Sequence, residues 1–432
     1  MLNPALKKAL RNEFVRHSAL VFGATMATNV LNYLFNFALS RRLGVENYAT
    51  LASLNGGLMI LCLPGTIANL VVVKYAAEFH AVGDTGRLSR LTRMVLLYAV
   101  AIAAAFFLGG FTLRGFAGGF LRIPNDASIG LAVLLLALSF VLLSIRGILQ
   151  GCQDFRRFSI SAVLEVLLKV LFAVAFVYAG YGVPGAMLGW SVATGVALLY
   201  TVWAVRRGVS EMSGAKLSLD LTRLFKTTSG VGAATAALVL LSFLDVVLVK
   251  HYLDARQAGL YAAVNLTGKI VLFIVSFLPL TLLPKVAAKA KRGEAPTGLL
   301  VQAAVGTVVL SGVTLTVFAL MPGTIVSLLA GRAFAGAAPY VFRYDIAMML
   351  LAGITLIVNY KIALHRFDFV YPLFLILLAE LSAIATWHRG IMDVVNVLVI
   401  GNAVALIAVM YRIGAMPPAR DGVARVPQGS GG

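Results

Sequence analysis

The chain has 432 residues, of which 60% are hydrophobic and only 12% charged, and its formal net charge is +19. Soluble domains carry roughly 25% charged residues, so this composition excludes an ordinary water-soluble globular domain and indicates a membrane protein. The basic side chains fall between apolar runs without the aromatic interleaving of nucleic-acid-binding segments, so no nucleic-acid partner is expected. Cys62 and Cys152 lie far apart with no Cys/His cluster, which favours two free thiols and predicts no metal site and no cofactor.

Apolar runs of about 20 residues recur along the chain, and this is the length a helix needs to cross roughly 30 Å of hydrocarbon. Backbone groups cannot stay unpaired in lipid, so each run is predicted to be a transmembrane helix. Segment 1–17 is basic, and the apolar run after it is too long for a signal-peptide core, so we expect it to be retained. The predicted spans are 18–40, 51–73, 91–112, 129–148, 159–180, 184–205, 227–249, 259–284, 298–321, 340–360, 369–387 and 392–411.

The distribution of Lys and Arg predicts how the spans are oriented. With the N-terminus in the cytoplasm, the inner segments hold 25 of the 36 basic side chains, the outer loops hold 9, and Lys169 and Lys269 lie within spans. This bias follows the positive-inside rule and predicts twelve spans with both termini in the cytoplasm. Segment 206–226 is predicted to be a cytoplasmic linker, and the tail 412–432, rich in Pro, Gly and Arg, is expected to be disordered.

The chain also resembles itself at an offset of about 210 residues. The segment LGVENYATLASLN (43–55) aligns without gaps on LDARQAGLYAAVN (253–265), and KYAAEFHAVG from Lys74 aligns with KVAAKAKRGE from Lys285. An offset of six helices preserves orientation, so the repeat predicts two parallel six-helix bundles, 18–205 and 227–411. Two such bundles suit a transporter that rocks around a central cavity better than they suit an enzyme.

The N-terminal pattern ALSRRLGVENYATLASL, the stretch LQGCQDFRRFS after the fourth span and the repeat of six spans carry a family resemblance. The chain resembles the polysaccharide transporter branch of the multidrug/oligosaccharidyl-lipid/polysaccharide exporter (MOP) superfamily, whose members include the Wzx-type O-antigen flippases. The resemblance implies a V-shaped, all-α pair of bundles in the bacterial inner membrane. It also implies alternating-access export of an undecaprenyl-pyrophosphate-linked oligosaccharide for lipopolysaccharide or another surface polysaccharide, with membrane lipids and polysaccharide assembly enzymes as partners.

The first predicted span carries a polar stripe. Thr25, Asn29, Asn32 and Asn36 are spaced by four, three and four residues, which places them on one helical face. Amides on one stripe are suited to binding sugar hydroxyls in a wet cavity, and we predict that role. The alternative is that they join this helix to a neighbour, as Asn does in membrane proteins.

The seventh predicted span carries Thr235, Ser242 and Asp245 on a similar stripe. Asp245 lies about one turn from the outer end of the span. It is predicted either to be a proton or cation site for coupling or to be the partner of Lys250 at the mouth.

The eighth predicted span carries Asn265 and Lys269, one turn apart. A lysine at that depth costs about 2.5–3.5 kcal/mol on insertion scales and usually faces a cavity or an opposite charge. We predict that Lys269 contacts the pyrophosphate and that Asn265 helps to bind the substrate. The alternative for Lys269 is a structural ion pair.

Three further charges and two prolines complete the candidate residues. Glu165 and Lys169 are spaced i,i+4 in the order that favours an ion pair. They are interpreted either as a self-neutralising pair or as a proton-labile carboxylate whose protonation frees Lys169 for the substrate. Glu380, near the middle of the eleventh span, is the second coupling candidate. Pro64 and Pro279 occupy comparable places in the two halves and are predicted hinges.

Two rival functions differ from the flippase in what they require. A membrane glycosyltransferase, polymerase or ligase usually has a long outer loop with acidic, His or Arg residues, whereas the outer segments here are short and the five His are scattered. The chain also shows no nucleotide-binding motif, so we predict that it is not an enzyme and that H⁺, Na⁺ or the substrate gradient supplies energy. A multidrug or cation antiporter of the same superfamily is the nearer rival, because it needs a carboxylate in an apolar cavity rather than positive charge in a polar one.

Overall fold

The computed structural model describes residues 4–124, 126–208, 221–291 and 294–413, and these residues form helices and no strand. Most of the predicted tail 412–432, the middle of the predicted linker 206–226 and the first three residues lie outside the described residues. The helices are α1 (Pro4–Leu61), α2 (Leu63–Ala81), α3 (Thr85–Thr112), α4 (Arg114–Leu121), α5 (Asp126–Gly151), α6 (Phe155–Phe176), α7 (Gly182–Gly208), α8 (Leu221–Tyr252), α9 (Ala255–Val275), α10 (Phe277–Lys291), α11 (Thr297–Leu320), α12 (Pro322–Leu329), α13 (Ala338–Ala363), α14 (Val370–Thr386) and α15 (Ile391–Met410).

The described helices form an all-helical fold with many membrane spans. Eight of the helices described here are long and apolar enough to cross a membrane, or nine if the bent pair Leu20–Leu61 and Leu63–Ala81 counts as one span. Three observations explain why this number is lower than the twelve predicted. The bent pair covers the first two predicted spans but counts as one. The turn Val177–Tyr181 joins α6 and α7 into one helical run, and α14 has only 17 residues. The count of twelve and the cytoplasmic position of both termini stay predictions.

Breaks in the helices lie close to the glycine and the prolines that cause them. The predicted loop between the first two spans is reduced to Gly44, whose φ of 74° lies in the left-handed region that favours glycine. At Cys62 the helix axis bends by 41°, and Pro64 lies in the first turn of α2, where its missing N–H needs no partner. Pro279 similarly lies in the first turn of α10, directly after the break at Ser276.

The short helices α4 and α12 were not predicted, because the sequence analysis treated their residues as loops or as the end of a span. Both have eight residues and both follow a long apolar helix. They begin 208 residues apart, at Arg114 and Pro322, which is close to the offset of the sequence repeat. The repeat therefore includes the connections between spans as well as the spans themselves.

Helix α1 lies between two groups of helices. It packs against α6 and α7, and on its other side against α8 and α9. Helix α5 contacts α2, α3 and α7, whereas α13 contacts α9, α11 and α15. Polar side chains on α1 are therefore placed where helices from the first and second parts of the chain meet.

Candidate functional site

The amides of the predicted stripe on α1 differ in what they bind. The Asn36 amide donates to the Asn32 carbonyl, and its side-chain oxygen accepts from the Tyr48 hydroxyl at 3.1 Å. The Asn32 side-chain oxygen accepts from the Lys169 ammonium. Asn29 is half-buried and its amide has no hydrogen-bond partner among the described residues, so it is the one most open to a ligand. Thr25 donates to the Val21 carbonyl of its own helix.

Lys169 of α6 is buried in a cage of one amide and two aromatic rings. Its ammonium lies 4.4 Å from the centre of the Phe35 ring and 4.2 Å from that of Trp190, and Asn32 accepts a hydrogen bond from it. Cation–π contacts stabilise an ammonium by about 0.5–2 kcal/mol each without cancelling its charge. The cage therefore places the Lys169 ammonium beside the polar stripe of α1.

The expected ion pair between Glu165 and Lys169 is not formed, because Arg146 takes the carboxylate. Among the described residues, the Glu165 partners are the Arg146 guanidinium at 2.8 Å and the Thr194 hydroxyl at 3.1 Å. Arg146 was not among the predicted site residues; it lies in α5 and is only 9% exposed. It also donates to both the hydroxyl and the carbonyl of Ser161. This pair leaves Lys169 without a carboxylate partner in the described part of the chain.

Asp245 of α8 is the centre of a buried cluster contributed by α9 and α13. The Tyr261 hydroxyl donates to its Oδ2 at 2.6 Å and the Tyr344 hydroxyl at 3.0 Å, and the Asn265 amide lies 3.4 Å away. Asp245 thus binds hydroxyls and not Lys250, which corrects the alternative of an ion pair at the mouth. Its second oxygen, Oδ1, is buried and has no hydrogen-bond partner in the described structure.

Glu380 of α14 lies close to Asp245, although the two are 135 positions apart in the sequence. Both carboxylates line a small cavity of about 10 Å³ whose other walls are mainly leucines, and this volume is about enough for one water molecule. The Glu380 Oε1 atom is also buried without a hydrogen-bond partner among the described residues. Two acids that line one small cavity, each with a buried carboxylate oxygen that lacks a hydrogen-bond partner among the described residues, are an arrangement that can bind a proton or a monovalent cation.

Glu380 also lines a larger groove between α14 and α15. This groove has a volume of about 550 Å³, and Trp387, Asp393 and Asn396 lie along it. Gly401 lets the carboxylate lean against α15, since a Cβ atom there would lie 1.9 Å from Oε1. Glu380 therefore lines both the groove between α14 and α15 and the small cavity that Asp245 lines.

Lys269 of α9 is half-buried, and its ammonium lies 4.6 Å from the centre of the Phe243 ring. It has no ion pair among the described residues. Phe243 belongs to the stretch of α8 against which Gly56 of α1 packs, since a Cβ atom on Gly56 would lie 3.2 Å from the Phe243 carbonyl. Lys269 thus lies beside the junction of α1 and α8.

Several functional residues were missed in the sequence. Arg146 was missed because it lies within two residues of the predicted end of a span, and Tyr261 and Tyr344 because they resemble ordinary apolar residues of a span. Asp345 carried a usable signal, since it is an acid inside the predicted span 340–360. It is fully buried, and the Thr267 hydroxyl lies 3.4 Å from its Oδ1 atom.

The remaining predicted residues have simpler surroundings. The hydroxyls of Thr235 and Ser242 donate to carbonyls four residues earlier in α8, so they do not point to a ligand. Cys62 and Cys152 are both free thiols. Within the described ranges, no group of three or more His, Cys, Asp or Glu could hold a metal ion.

A comparison with models of protein families identifies the family of this sequence. A family model described as polysaccharide biosynthesis protein matches residues 14–289. A search of curated proteins finds no significant match.

Solved structures of low sequence identity show the same fold. A multidrug resistance MATE family transporter of the MOP superfamily, in an inward-facing conformation, has a TM-score of 0.75 at 13% identity, covering 89% of this chain and 94% of its own. Lipid II flippase MurJ, in an inward closed conformation, has a TM-score of 0.66 at 11% identity, covering 92% of this chain and 88% of its own. The outward-facing conformation of a MATE family transporter has a TM-score of 0.63 at 14% identity, covering 92% of this chain and 95% of its own.

Proposed function

The chain belongs to the polysaccharide biosynthesis protein family and has the fold of MOP-superfamily transporters, and from this premise we propose that it is a flippase. Its substrate is a lipid-linked oligosaccharide, with undecaprenyl pyrophosphate as the carrier, which it moves across the bacterial inner membrane by alternating access. In this proposal twelve spans form two six-helix bundles with both termini in the cytoplasm. The kinks beside Pro64 in the first bundle and Pro279 in the second are the hinges for this motion.

The observation that carries the proposal is the uncancelled charge of Lys169. Because Arg146 occupies Glu165, the Lys169 ammonium keeps its charge beside the amides of α1. A buried cation without a carboxylate is costly, and a phosphate-bearing headgroup supplies the missing negative charge. Lys269, also without an ion pair in the described structure, provides a second contact for the same headgroup.

Sugar hydroxyls and the coupling ion use different groups. The amides of Asn29, Asn32 and Asn36 bind hydroxyls of the saccharide. The oxygens of Asp245 and Glu380 that lack hydrogen-bond partners bind H⁺ or Na⁺ in the small cavity between them. Tyr261 and Tyr344 hold the Asp245 carboxylate in place through Oδ2, which leaves Oδ1 for the ion.

A multidrug antiporter is the second candidate, and the Asp245–Glu380 cavity is the observation that favours it. A cationic drug requires a free carboxylate at the substrate cavity, and Glu380 lines a groove of about 550 Å³. Lys169 and Lys269 argue against this candidate, because they would repel a cationic substrate at the junction of α1 with its neighbours.

The test is deletion of the gene in its native bacterium and complementation with variants. Loss of surface polysaccharide, with lipid-linked repeat units retained on the cytoplasmic face, is expected on deletion and with Lys169→Met. Lys285→Met serves as the control, because Lys285 is an exposed lysine in α10. Normal surface polysaccharide together with new sensitivity to cationic dyes would overturn the proposal in favour of the antiporter.

A further inference from the structure

Arg41 of α1, in the first half of the chain, contacts the short helix α12 of the second half. Its guanidinium donates to the carbonyls of Leu328 and Leu329 at 2.5 and 3.2 Å, which are the last two residues of α12. The last carbonyls of a helix have no partner within the helix and carry partial negative charge. Arg41 therefore caps α12 across the junction between the two halves.

His251, in the second half of the chain, makes the corresponding contact with the short helix α4 of the first half. It lies at the end of α8, and its Nδ1 atom is 2.7 Å from the Phe120 carbonyl of α4. The His251 ring also stacks on the Phe120 ring, with 4.1 Å between their centres. Phe120 is the second-last residue of α4, as Leu328 is of α12.

The two contacts are related by the sequence repeat. Arg41 and His251 are 210 residues apart, which is the offset that aligns 43–55 with 253–265. Their acceptors Phe120 and Leu328 are 208 residues apart, as are the starts of α4 and α12. Each half therefore provides a side-chain donor and a short helix, and each donor binds the short helix of the other half.

Other contacts draw the halves together at the same end. The Tyr48 ring packs edge-on against Phe334, with 5.6 Å between the ring centres. Gly259 of α9 lies so close to α1 that a Cβ atom there would be 2.2 Å from the Val45 carbonyl. On the predicted topology, this end of the molecule faces the outside.

We propose that Arg41 and His251 are reciprocal latches that keep the outer end closed until both release. Opening to the outside separates the halves there, so it must break the contact of Arg41 with α12 and that of His251 with α4. The backbone contact at Gly259 shuts the same end without a side chain. This inference rests on the proposed alternating access but not on the identity of the substrate.

The test measures the separation of the halves directly. Spin labels on Asn47→Cys and Ala335→Cys, exposed positions next to Tyr48 and Phe334, report the distance across the outer end in a Cys62→Ser, Cys152→Ser background. In nanodiscs, Arg41→Gln and His251→Phe are each expected to raise the share of the long-distance population about tenfold, since each loses a hydrogen bond that holds the halves together. His251→Phe keeps the ring stack and removes only the donor.

The matched control is Arg42→Gln. The Arg42 guanidinium lies 5.3 Å from the centre of the Tyr178 ring, within the first half, so its loss should leave the distances unchanged. If Arg41→Gln does not fold, Arg41→Lys supplies the comparison, because it keeps the charge and loses the forked geometry.

Two results overturn the latch. In the first, a variant that carries both Arg41→Gln and His251→Phe gives the same distances as the unsubstituted protein. In the second, Arg42→Gln opens the outer end as much as Arg41→Gln does. Failure of the proposed function is separate, because the distances are measured without substrate. A protein whose latches respond as expected but that moves no lipid-linked oligosaccharide would refute the flippase and not the latches.

Discussion

The pair of Arg146 and Glu165 gives the sharpest prediction, because the sequence offered Glu165 as a coupling group and the structure surrounds it with hydrogen bonds. Arg146→Met leaves a carboxylate that is 16% exposed with only the Thr194 hydroxyl for a partner. Breaking one side of a buried pair costs about 3–5 kcal/mol, whereas replacing both partners with apolar residues of similar size is often neutral. We therefore expect Arg146→Met and Glu165→Leu each to lower the free energy of unfolding by about 3–5 kcal/mol.

The double variant Arg146→Met, Glu165→Leu should regain most of that loss. The hydrogen bonds that Arg146 makes to Ser161 disappear with it, and the Ser161 hydroxyl keeps a partner in Thr201 at 2.7 Å, so we expect the double variant to lie within about 2 kcal/mol of the unsubstituted protein. Arg157→Gln is the control, since its pair with Asp154 is about one-third exposed and contributes about 0–1 kcal/mol. The assay is denaturant unfolding in detergent micelles, with polysaccharide export measured on the same variants.

Two outcomes would refute this reasoning. If the double variant is as unstable as either single one, the two charges do not form a self-contained pair. If the double variant is stable and inserted but exports nothing, then Glu165 takes part in coupling, as the sequence alone allowed.

Three further predictions concern the second half of the chain. Gly401→Ala should displace the Glu380 carboxylate and so raise the Na⁺ or H⁺ concentration needed for half-maximal export about tenfold. Gly312→Ala, in open surroundings, should leave that concentration unchanged, and equal effects of the two variants would refute the cavity. Asp245→Asn should abolish dependence of export on the ion gradient while leaving the protein folded, and retained dependence would exclude Asp245 as the coupling group. Burial raises the pKa of Asp368, but the hydrogen bond and charge of Lys361, with the charge of Arg366, outweigh it and lower that pKa below its ordinary value. This stabilisation is present above the ordinary pKa and lost as pH falls through the lowered one. Asp368→Asn should therefore reduce thermal stability at pH 7, and the difference should shrink as the pH falls below the ordinary pKa of 3.8. A difference that stays constant with pH would refute the pairing.

Much of the fold could be predicted because lipid imposes simple rules. Length and hydropathy located the apolar helices, and the repeat anticipated that Pro64 and Pro279 would sit at matching breaks. The single-residue kink at Gly44 could not be predicted, since LGVENYATLASLN is compatible with either a loop or a helix. Helices α4 and α12 were not predicted, because a helix of eight residues is too short to be distinguished from a loop by its hydropathy.

The candidate site could be predicted where a charge interrupts an apolar run, and not where its partner is distant. Lys169, Lys269, Asp245 and Glu380 were found in this way. Their partners depend on the packing of helices far apart in sequence, so local spacing suggested Glu165 for Lys169 when Arg146 of another helix was nearer to the carboxylate. The meeting of Asp245 with Glu380 is likewise a product of packing between α8 and α14.

The reciprocal capping of α4 and α12 bears on how a duplicated chain can diverge. Both acceptors are main-chain carbonyls, which every residue possesses, so substitutions along α4 or α12 leave the acceptor in place as long as the helix ends there. The donors differ, an arginine in one half and a histidine in the other, and each donates a hydrogen bond through a side-chain N–H. The hydrogen bonds to the backbone can therefore be kept while the side chains change. The two halves of a duplicated chain can thus keep matching contacts even where their sequences hardly resemble each other.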